Sequence, residues 1–344
     1  MIYILVIAAG LWFLGREMNV PASARWLMIG LLYILVLIVL VLVPDGHPLE
    51  SALGGSLGEW LLVGGLVALI FGYRKGLRYL RAQASPDSSD DKPSGTFSGG
   101  EIERYARHIM LREIGGPGQK RLKQAKVLVI GAGGLGSPAC LYLAAAGVGT
   151  IGVIDDDVVE NTNLQRQIAH TDDRIGMPKV FSAEAAMKAV NPFVEVKPYH
   201  RRMTEDIATD LLAEYDLVLD GTDNFETRYM ANSACVAAGK PLISGALTQW
   251  EGQISLFDPS QGAPCYRCVF PEAPAPELAP SCAEAGVLGP LTGVVGSMMA
   301  VEAVKAIVDA GETLAGRMLI YDALYGEVRV IKLERRANCE TCGS

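Results

Sequence analysis

An α/β fold, with a doubly wound and mostly parallel sheet preceded by transmembrane helices, is what this 344-residue sequence predicts. Three observations predict it. From Lys126 onward, short β-branched runs alternate with helical stretches. The first of these runs, Val127 to Ile130, feeds directly into Gly131-Ala132-Gly133-Gly134-Leu135-Gly136. The N-terminal part is apolar and slightly basic where the rest is acidic. Of a net charge of −8, residues 1–83 contribute six basic and four acidic side chains. The acidic remainder has no basic run, which argues against nucleic acid as its principal partner.

The membrane region is expected over residues 1–81. Trp26 to Val43 is an uncharged apolar run, long enough as a helix to approach a ~30 Å hydrocarbon core. It has no polar face, so a buried core helix is the weaker reading. Pro44-Asp45-Gly46 stops it. Trp60 to Tyr73 is a second run, extended by Ala52 to Gly58 if Glu59 is tolerated, and Met1 to Gly15 is a third and short one. No charge precedes the first apolar residues and no small-residue cleavage site follows them, so a removed signal peptide is not expected. Arg16 and Arg25 lie in one connection, and YRKGLRYLR follows the last run. The loop Pro44 to Glu59 holds three acids and no Lys or Arg. Positive-inside placement then gives three spans, with the N-terminus outside and everything after Tyr73 in the cytoplasm. That is a multi-pass protein of the inner (cytoplasmic) membrane. Residues 82–100, rich in Ser, Pro, Asp and Gly, read as a flexible tether to a domain over 101–344.

Within that domain Glu101 to Arg112 has a helical pattern with Arg104 and Arg107 on a solvated face. After the glycine loop come helix 135–147, strand 150–155, helix 178–190, strand 194–199, helix 204–214, strand 216–220, helix 224–239 and strand 241–246. Strand, glycine loop, helix, strand and terminal acids (Asp155, Asp156, Asp157) form a Rossmann-like βαβ unit. Backbone N–H groups approach phosphate there, and an acid can reach a ribose hydroxyl. Glu251 to Asp258 and Arg317 to Leu333 read as strands and hairpins, so the sheet has mixed edge strands. Leu288 to Ala310 is long and apolar, but Glu302, Lys305 and Asp309 assign it to a core or dimer interface.

Four features carry chemistry. Asn163-Leu164-Gln165-Arg166-Gln167 and Lys179 bring an arginine and a lysine toward the glycine loop, which suits a triphosphate; surface cations are the bland alternative. Asp223-Asn224 follows a strand end, where Asp223 can hold Mg²⁺ beside phosphates or the pair can merely cap a helix. Cys265-x-x-Cys268 and Cys339-x-x-Cys342 match a closed tetrahedral Zn²⁺ site, with two redox disulfides as the alternative. Cys282, at the edge of a Pro/Ala/Glu loop, is either a nucleophile or a small buried residue.

Taken together, RYARHI, GAGGLGSP, IDDDVVENTNLQRQ, GMPKV, LDGTDNFETR, EGQISLF, PCYRC, CAEAGVLGPLTGVVGSMMAVEAVK and CETC resemble the MoeB/ThiF/HesA family. These are adenylyltransferases of ubiquitin-like sulfur carriers, related to ubiquitin-activating enzymes. The resemblance runs from about Arg104 to Gly343. It implies a homodimer that uses ATP and Mg²⁺ to adenylylate the C-terminal glycine of a carrier ending in Gly-Gly, for molybdopterin or thiamine biosynthesis or for another sulfur-transfer pathway at the membrane. A membrane-tethered NAD-binding oxidoreductase is the less favoured alternative. By motif, Gly131, Gly133, Gly134 and Gly136 would cradle the nucleotide, and Asp155, with Asp157 near, would take the ribose. Asn163, Gln165 and Arg166 would meet phosphates or ribose, Lys179 the phosphates, Asp223 Mg²⁺, and Asn224 would help shape the pocket. Arg107 would reach the triphosphate of the opposite subunit, and Cys282 matches the cysteine with which thiamine-type members join their carrier. With no rhodanese domain after Cys342, sulfur is expected from a separate donor protein.

Overall fold

The computed structural model describes residues 2–18, 20–43, 47–48, 53–84, 96–274 and 285–343. They fall into two compact units, Met1–Lys92 and Pro93–Ser344. The first unit consists of three helices, α1 (Ile2–Glu17), α2 (Ala22–Leu42) and α3 (Leu57–Ala84). A helix satisfies its own backbone groups, so uncharged sequence can be helical without water. By length and composition α2 and α3 can cross a hydrocarbon core, over Ala24–Leu42 and Leu57–Gly76. At 16 residues α1 is about 24 Å long and shorter than a full span. Val36, Leu40 and Trp60 pack between the helices, and the Tyr33 hydroxyl donates to the Trp60 carbonyl at 2.7 Å. Leu27, Leu31, Leu62, Leu66 and Leu69 point outward, more than half exposed. Asp45, Glu50 and residues 85–95 of the expected tether lie outside the described residues.

The second unit is built on one eight-stranded sheet, β1 (Lys126–Ile130), β2 (Thr150–Ile154), β3 (Glu195–Tyr199), β4 (Leu217–Asp220), β5 (Leu242–Leu247), β6 (Glu251–Phe257), β7 (Arg317–Asp322) and β8 (Glu327–Lys332). Their order is β3-β2-β1-β4-β5-β6-β7-β8. The first five are parallel, and β6, β7 and β8 are antiparallel, the mixed edge that the sequence predicts. From β1 the chain winds outward to β3, then returns to place β4 on the other side of β1. The C-terminal ends of β1 and β4 therefore flank the switch point at which such sheets open a crevice.

Helices cover both faces. On one lie α6 (Gly136–Ala146), α7 (Lys179–Val190) and α11 (Gly289–Val308), whose Leu143, Met187, Val295 and Met299 close over Val127, Val129, Ile151 and Leu219. On the other lie α8 (Glu205–Ala213) and α9 (Phe225–Ala238), with Leu212, Ala231 and Cys235 against Leu128, Ile130 and Val218. Burial on both faces is why these strands read as continuous apolar runs. The α11 helix is a core element although its length and composition would allow a span. It lies so close to α6 that a Cβ at Gly296 would collide with Leu135 and Pro138.

Two local differences from expectation have clear causes. The helix α4 (Gly99–Ile109) starts at a Ser98–Glu101 capping box and ends three residues earlier than predicted. An unpredicted helix, α5 (Gly115–Gln124), opens on Gly115-Gly116-Pro117-Gly118. That composition reads as a turn, yet proline is tolerated in a first turn, and Gly118 fits against Ile114 and Val308. The last tether residues are docked on this pair: Lys123 Nζ reaches the Thr96 carbonyl at 2.9 Å and lies over the Phe97 ring. A single further turn, α10 (Tyr266–Val269), carries Cys268.

Candidate active site

The glycine loop turns at the end of β1. Gly131 has φ = 91°, a conformation glycine adopts without steric cost, and its N–H donates to the Ile154 carbonyl at 2.9 Å. A Cβ on Gly136 would collide with the Gly131 carbonyl oxygen. This close approach aims the N-terminus of α6 at the crevice, where the helix dipole favours an anion.

The loop is held from beneath by two residues. Asp155 Oδ2 accepts from the Ala132 N–H at 2.7 Å and Oδ1 from the Asp157 N–H at 2.8 Å. Burial raises the Asp155 carboxyl above its usual range, opposed by Lys179 and these two amides. His170, which the motif reading overlooked, is buried with Nε2 2.9 Å from the Ala132 carbonyl and Nδ1 2.9 Å from Ser182 Oγ. A carbonyl only accepts, so Nε2 carries the proton and Nδ1 accepts from the serine hydroxyl. Burial lowers the His170 pKa and keeps the ring neutral.

Both predicted cations are in place. Lys179 opens α7; its side chain is 6 % exposed and its Nζ lies 2.6 Å from Asp157 Oδ2, on a carboxylate that is 65 % exposed. Arg166 bonds the Thr162 carbonyl at 3.1 Å and Asn163 Oδ1 at 3.2 Å. Asn163 thereby orients the guanidinium.

Asp223 is exposed on the loop after β4. Asn224 caps α9, accepting from the Thr227 N–H at 2.8 Å, so its capping reading holds. Beneath them is a network that the sequence concealed. Asp220 Oδ1 takes the Thr222 N–H and hydroxyl at 3.0 and 2.6 Å. Asp220 Oδ2 takes Arg228 and Ser244 at 3.2 and 3.1 Å. Arg228 also donates to Ser244 Oγ, to the Gly245 carbonyl at 2.7 Å and to the Thr222 carbonyl. Both polar backbone groups of Thr222 are thus clamped, and Asp223 is the next residue.

One cleft of about 1160 Å³ brings these groups together. Gly131, Gly133, Gly134, Asp155, Asp157, Arg166, Lys179, Asp223 and Asn224 line it, joined at the far end by Thr248 to Glu251 and Leu324. Gly136, Asn163, Gln165 and Arg107 are not in its lining. Gly136 shapes the turn, and Gln165 packs against Gly289. Arg107 is exposed on α4. Cys282 lies outside the described residues, between Pro274 and Ala285, which both line the cleft.

Away from the cleft, Cys265, Cys268, Cys339 and Cys342 converge, all buried. Their Sγ–Sγ separations include 3.9, 3.6 and 3.4 Å, against about 3.8 Å for the edge of a tetrahedron with Zn–S of 2.3 Å. Burial raises the Cys265 thiol, so an ionised thiolate at that position needs a compensating cation. The Arg336 N–H lies 3.5 Å from Cys268 Sγ, and Arg267 pairs with Glu340 at 2.5 Å. The donor set fits a closed, structural Zn²⁺ site.

Residues 105–341 match the ThiF family. The chain is 48 % identical over 247 residues to the sulfur carrier protein adenylyltransferase of Thermus thermophilus, covering 71 % of this chain and 91 % of that one. It is 50 % identical over 247 residues to the probable adenylyltransferase/sulfurtransferase MoeZ of Mycobacterium tuberculosis, covering 71 % of this chain and 63 % of that protein's length. The SAMP-activating enzyme E1 of Haloferax volcanii is 47 % identical over 243 residues, covering 71 % and 89 %. Among solved structures, Escherichia coli MccB with ATP has a TM-score of 0.61 at 25 % identity, over 70 % of this chain and 75 % of MccB.

Proposed function

Because the chain belongs to the ThiF family, we propose that its α/β unit adenylylates the C-terminal glycine of a ubiquitin-like sulfur carrier at the expense of ATP. The observation that carries this is the convergence of Arg166, Lys179 and Asp223 on the cleft that contains the glycine loop. The nucleotide's phosphates lie over the N-terminus of α6. An oxygen of the carrier's ionised carboxylate attacks the α-phosphorus. The bond from that phosphorus to the bridging oxygen breaks, and pyrophosphate leaves with the electron pair. Arg166 and Lys179 neutralise the charge that builds on the phosphates, and no protein base is needed because the nucleophile is already an anion. Mg²⁺, which Asp223 would hold, adds Lewis-acid stabilisation of the same charge.

Thr248 to Glu251 also line the cleft, and the carrier's extended, small-residue tail would enter beside them. Arg107 is exposed on α4, accessible to serve the opposite site in the homodimer that the family resemblance implies. The outward apolar side chains of α2 and α3, with the exposed Arg74 and Lys75 at the end of the apolar stretch of α3, support a membrane anchor that leaves the α/β unit in the cytoplasm. Cys265, Cys268, Cys339 and Cys342 would hold Zn²⁺ in a structural role, which would pin the C-terminal segment to the domain. The test is ATP–pyrophosphate exchange with small proteins ending in Gly-Gly. Exchange that depends on the carrier and is lost in Asp223→Ala is expected; no exchange with any such protein of the cell would refute the assignment.

A further inference from the structure

Gln167 follows Arg166 in the turn that faces the glycine loop. Its backbone is fixed, the N–H donating to the Asn163 carbonyl at 3.0 Å and the carbonyl accepting from the His170 N–H at 3.0 Å. Its side chain is only 4 % exposed, yet it belongs to the lining of the cleft. Oε1 is shut off from water with no hydrogen-bond partner, and neither end of the amide is paired among the described residues. Two other buried amides in this unit have an unpaired atom, but each keeps a bond at its other end. Gln119 donates to the Ala146 carbonyl, and Asn232 accepts from the Tyr266 N–H. Gln167 keeps none. Buried side-chain amides are nearly always paired; Oε1 only accepts, so it is the amide nitrogen, a donor with no partner among the described residues, that can meet an anion in the cleft.

The position says which partner. Gln167 Nε2 lies 3.7 Å from where a Cβ would stand on Gly133. Gly133 is the glycine at which the main chain comes close to a nucleotide's phosphates in such loops. Arg166 stands next in sequence. A neutral N–H donor beside a cation and a helix N-terminus adds direction to phosphate binding without adding charge.

We infer that Gln167 is a substrate-contacting residue whose side-chain N–H donates to the phosphate chain of the nucleotide beside Gly133. This rests on the ATP-dependent reading of the cleft. The test uses the full chain in detergent as wild type, Gln167→Met and Gln167→Glu. ATP affinity is measured calorimetrically without carrier, and the thermal midpoint with and without ATP. Methionine keeps the length and removes an unpaired amide, so the nucleotide-free midpoint is expected to stay level or rise. The ATP dissociation constant should weaken about ten- to hundredfold, as for loss of a hydrogen bond to a charged group. Glutamate, which sets a carboxylate against phosphate, should weaken it further. ATP binding by Gln167→Met within about twofold of wild type would overturn the inference. So would a fall in its nucleotide-free midpoint alongside the affinity, since that marks a structural residue. If wild type itself does not bind ATP, the reading of the cleft fails rather than the assignment of Gln167 within it.

Discussion

Replacing Arg228 by methionine should cost the α/β unit about 3–5 kcal/mol, the range for removing one partner of a buried ion pair. The side chains of Arg228 and Asp220 are 6 % and 1 % exposed, so water cannot take over the lost contacts. Methionine retains much of the apolar stem but none of the donors. Asp220 still accepts from the Thr222 N–H, the Thr222 hydroxyl and Ser244, which places the cost of its charge at the lower end. The Thr222 and Gly245 carbonyls both lose a donor, at about 1 kcal/mol or more apiece, which moves the total back up. For a domain of this size 1 kcal/mol corresponds to about 2–4 °C, so the thermal midpoint should fall by on the order of 10 °C. The assay is thermal unfolding of the full chain in detergent, followed by pyrophosphate exchange well below the midpoint. Asp220→Leu combined with Arg228→Met should recover most of the stability but not the exchange, because Thr222 is no longer clamped beside Asp223. A fall of less than about 1 kcal/mol in the single variant would refute the pairing argument. Full exchange in the stable double variant would refute the claim that the clamp places Asp223.

Cys265→Ser should lose the metal and lower the midpoint, with Zn²⁺ content and stability measured on one sample; a metal-free wild type, or full stability in the variant, would contradict the closed site. His170 has its pKa lowered from 6.5 by burial, so the unfolded chain binds a proton that the folded chain refuses. The resulting stability is present above about pH 6.5 and is lost as pH falls below it. The midpoint of wild type should therefore drop more steeply between about pH 7 and pH 5 than that of His170→Gln, and parallel profiles would argue against a neutral, buried ring. If Arg107 serves the opposite cleft, mixing inactive Arg107→Ala and Asp223→Ala subunits should restore up to about a quarter of wild-type exchange, through hybrid dimers with one intact site. No recovery after demonstrated subunit exchange would place Arg107 outside the reaction.

What the sequence disclosed and what it hid divide along the range of the forces involved. The strands β1 to β5 are legible because burial on both faces demands apolar runs, and the glycine loop because Gly131 and Gly136 answer local steric needs. The two C-x-x-C pairs are legible because a metal dictates ligand spacing. The helix α5 is hidden because its stability comes from packing, Gly118 against Ile114 and Val308, and not from the propensity of Gly-Gly-Pro-Gly. Asp155 and Asn224 were identifiable as site residues, but their bonds to backbone N–H groups depend on where a loop closes. Arg228 and His170 carried no assignable role in the sequence. Each acts through partners on other elements, and the one local signal was an arginine in the first turns of a helix that must bury one face.

The resting site also explains how a buried cation is kept ready for phosphate. An ammonium as buried as that of Lys179 is costly without a counter-charge, and the chain supplies one in Asp157, whose own carboxylate remains mostly in water. The two partners are therefore unequal. Asp157 can leave the pair and regain hydration, whereas Lys179 stays where it is and needs another anion. On the proposed reading, a phosphate entering over the α6 N-terminus would provide it, so binding would exchange one ion pair for another and avoid desolvating a free lysine. Arg166 is arranged on the same plan, held by a carbonyl and a neutral amide oxygen that a doubly charged phosphate group outcompetes. Affinity in such a site reflects the difference between two sets of partners. Charge alone would not distinguish ATP from other anions; on the proposed function, the fixed positions of Lys179, Arg166 and the loop amides would select a chain of phosphates.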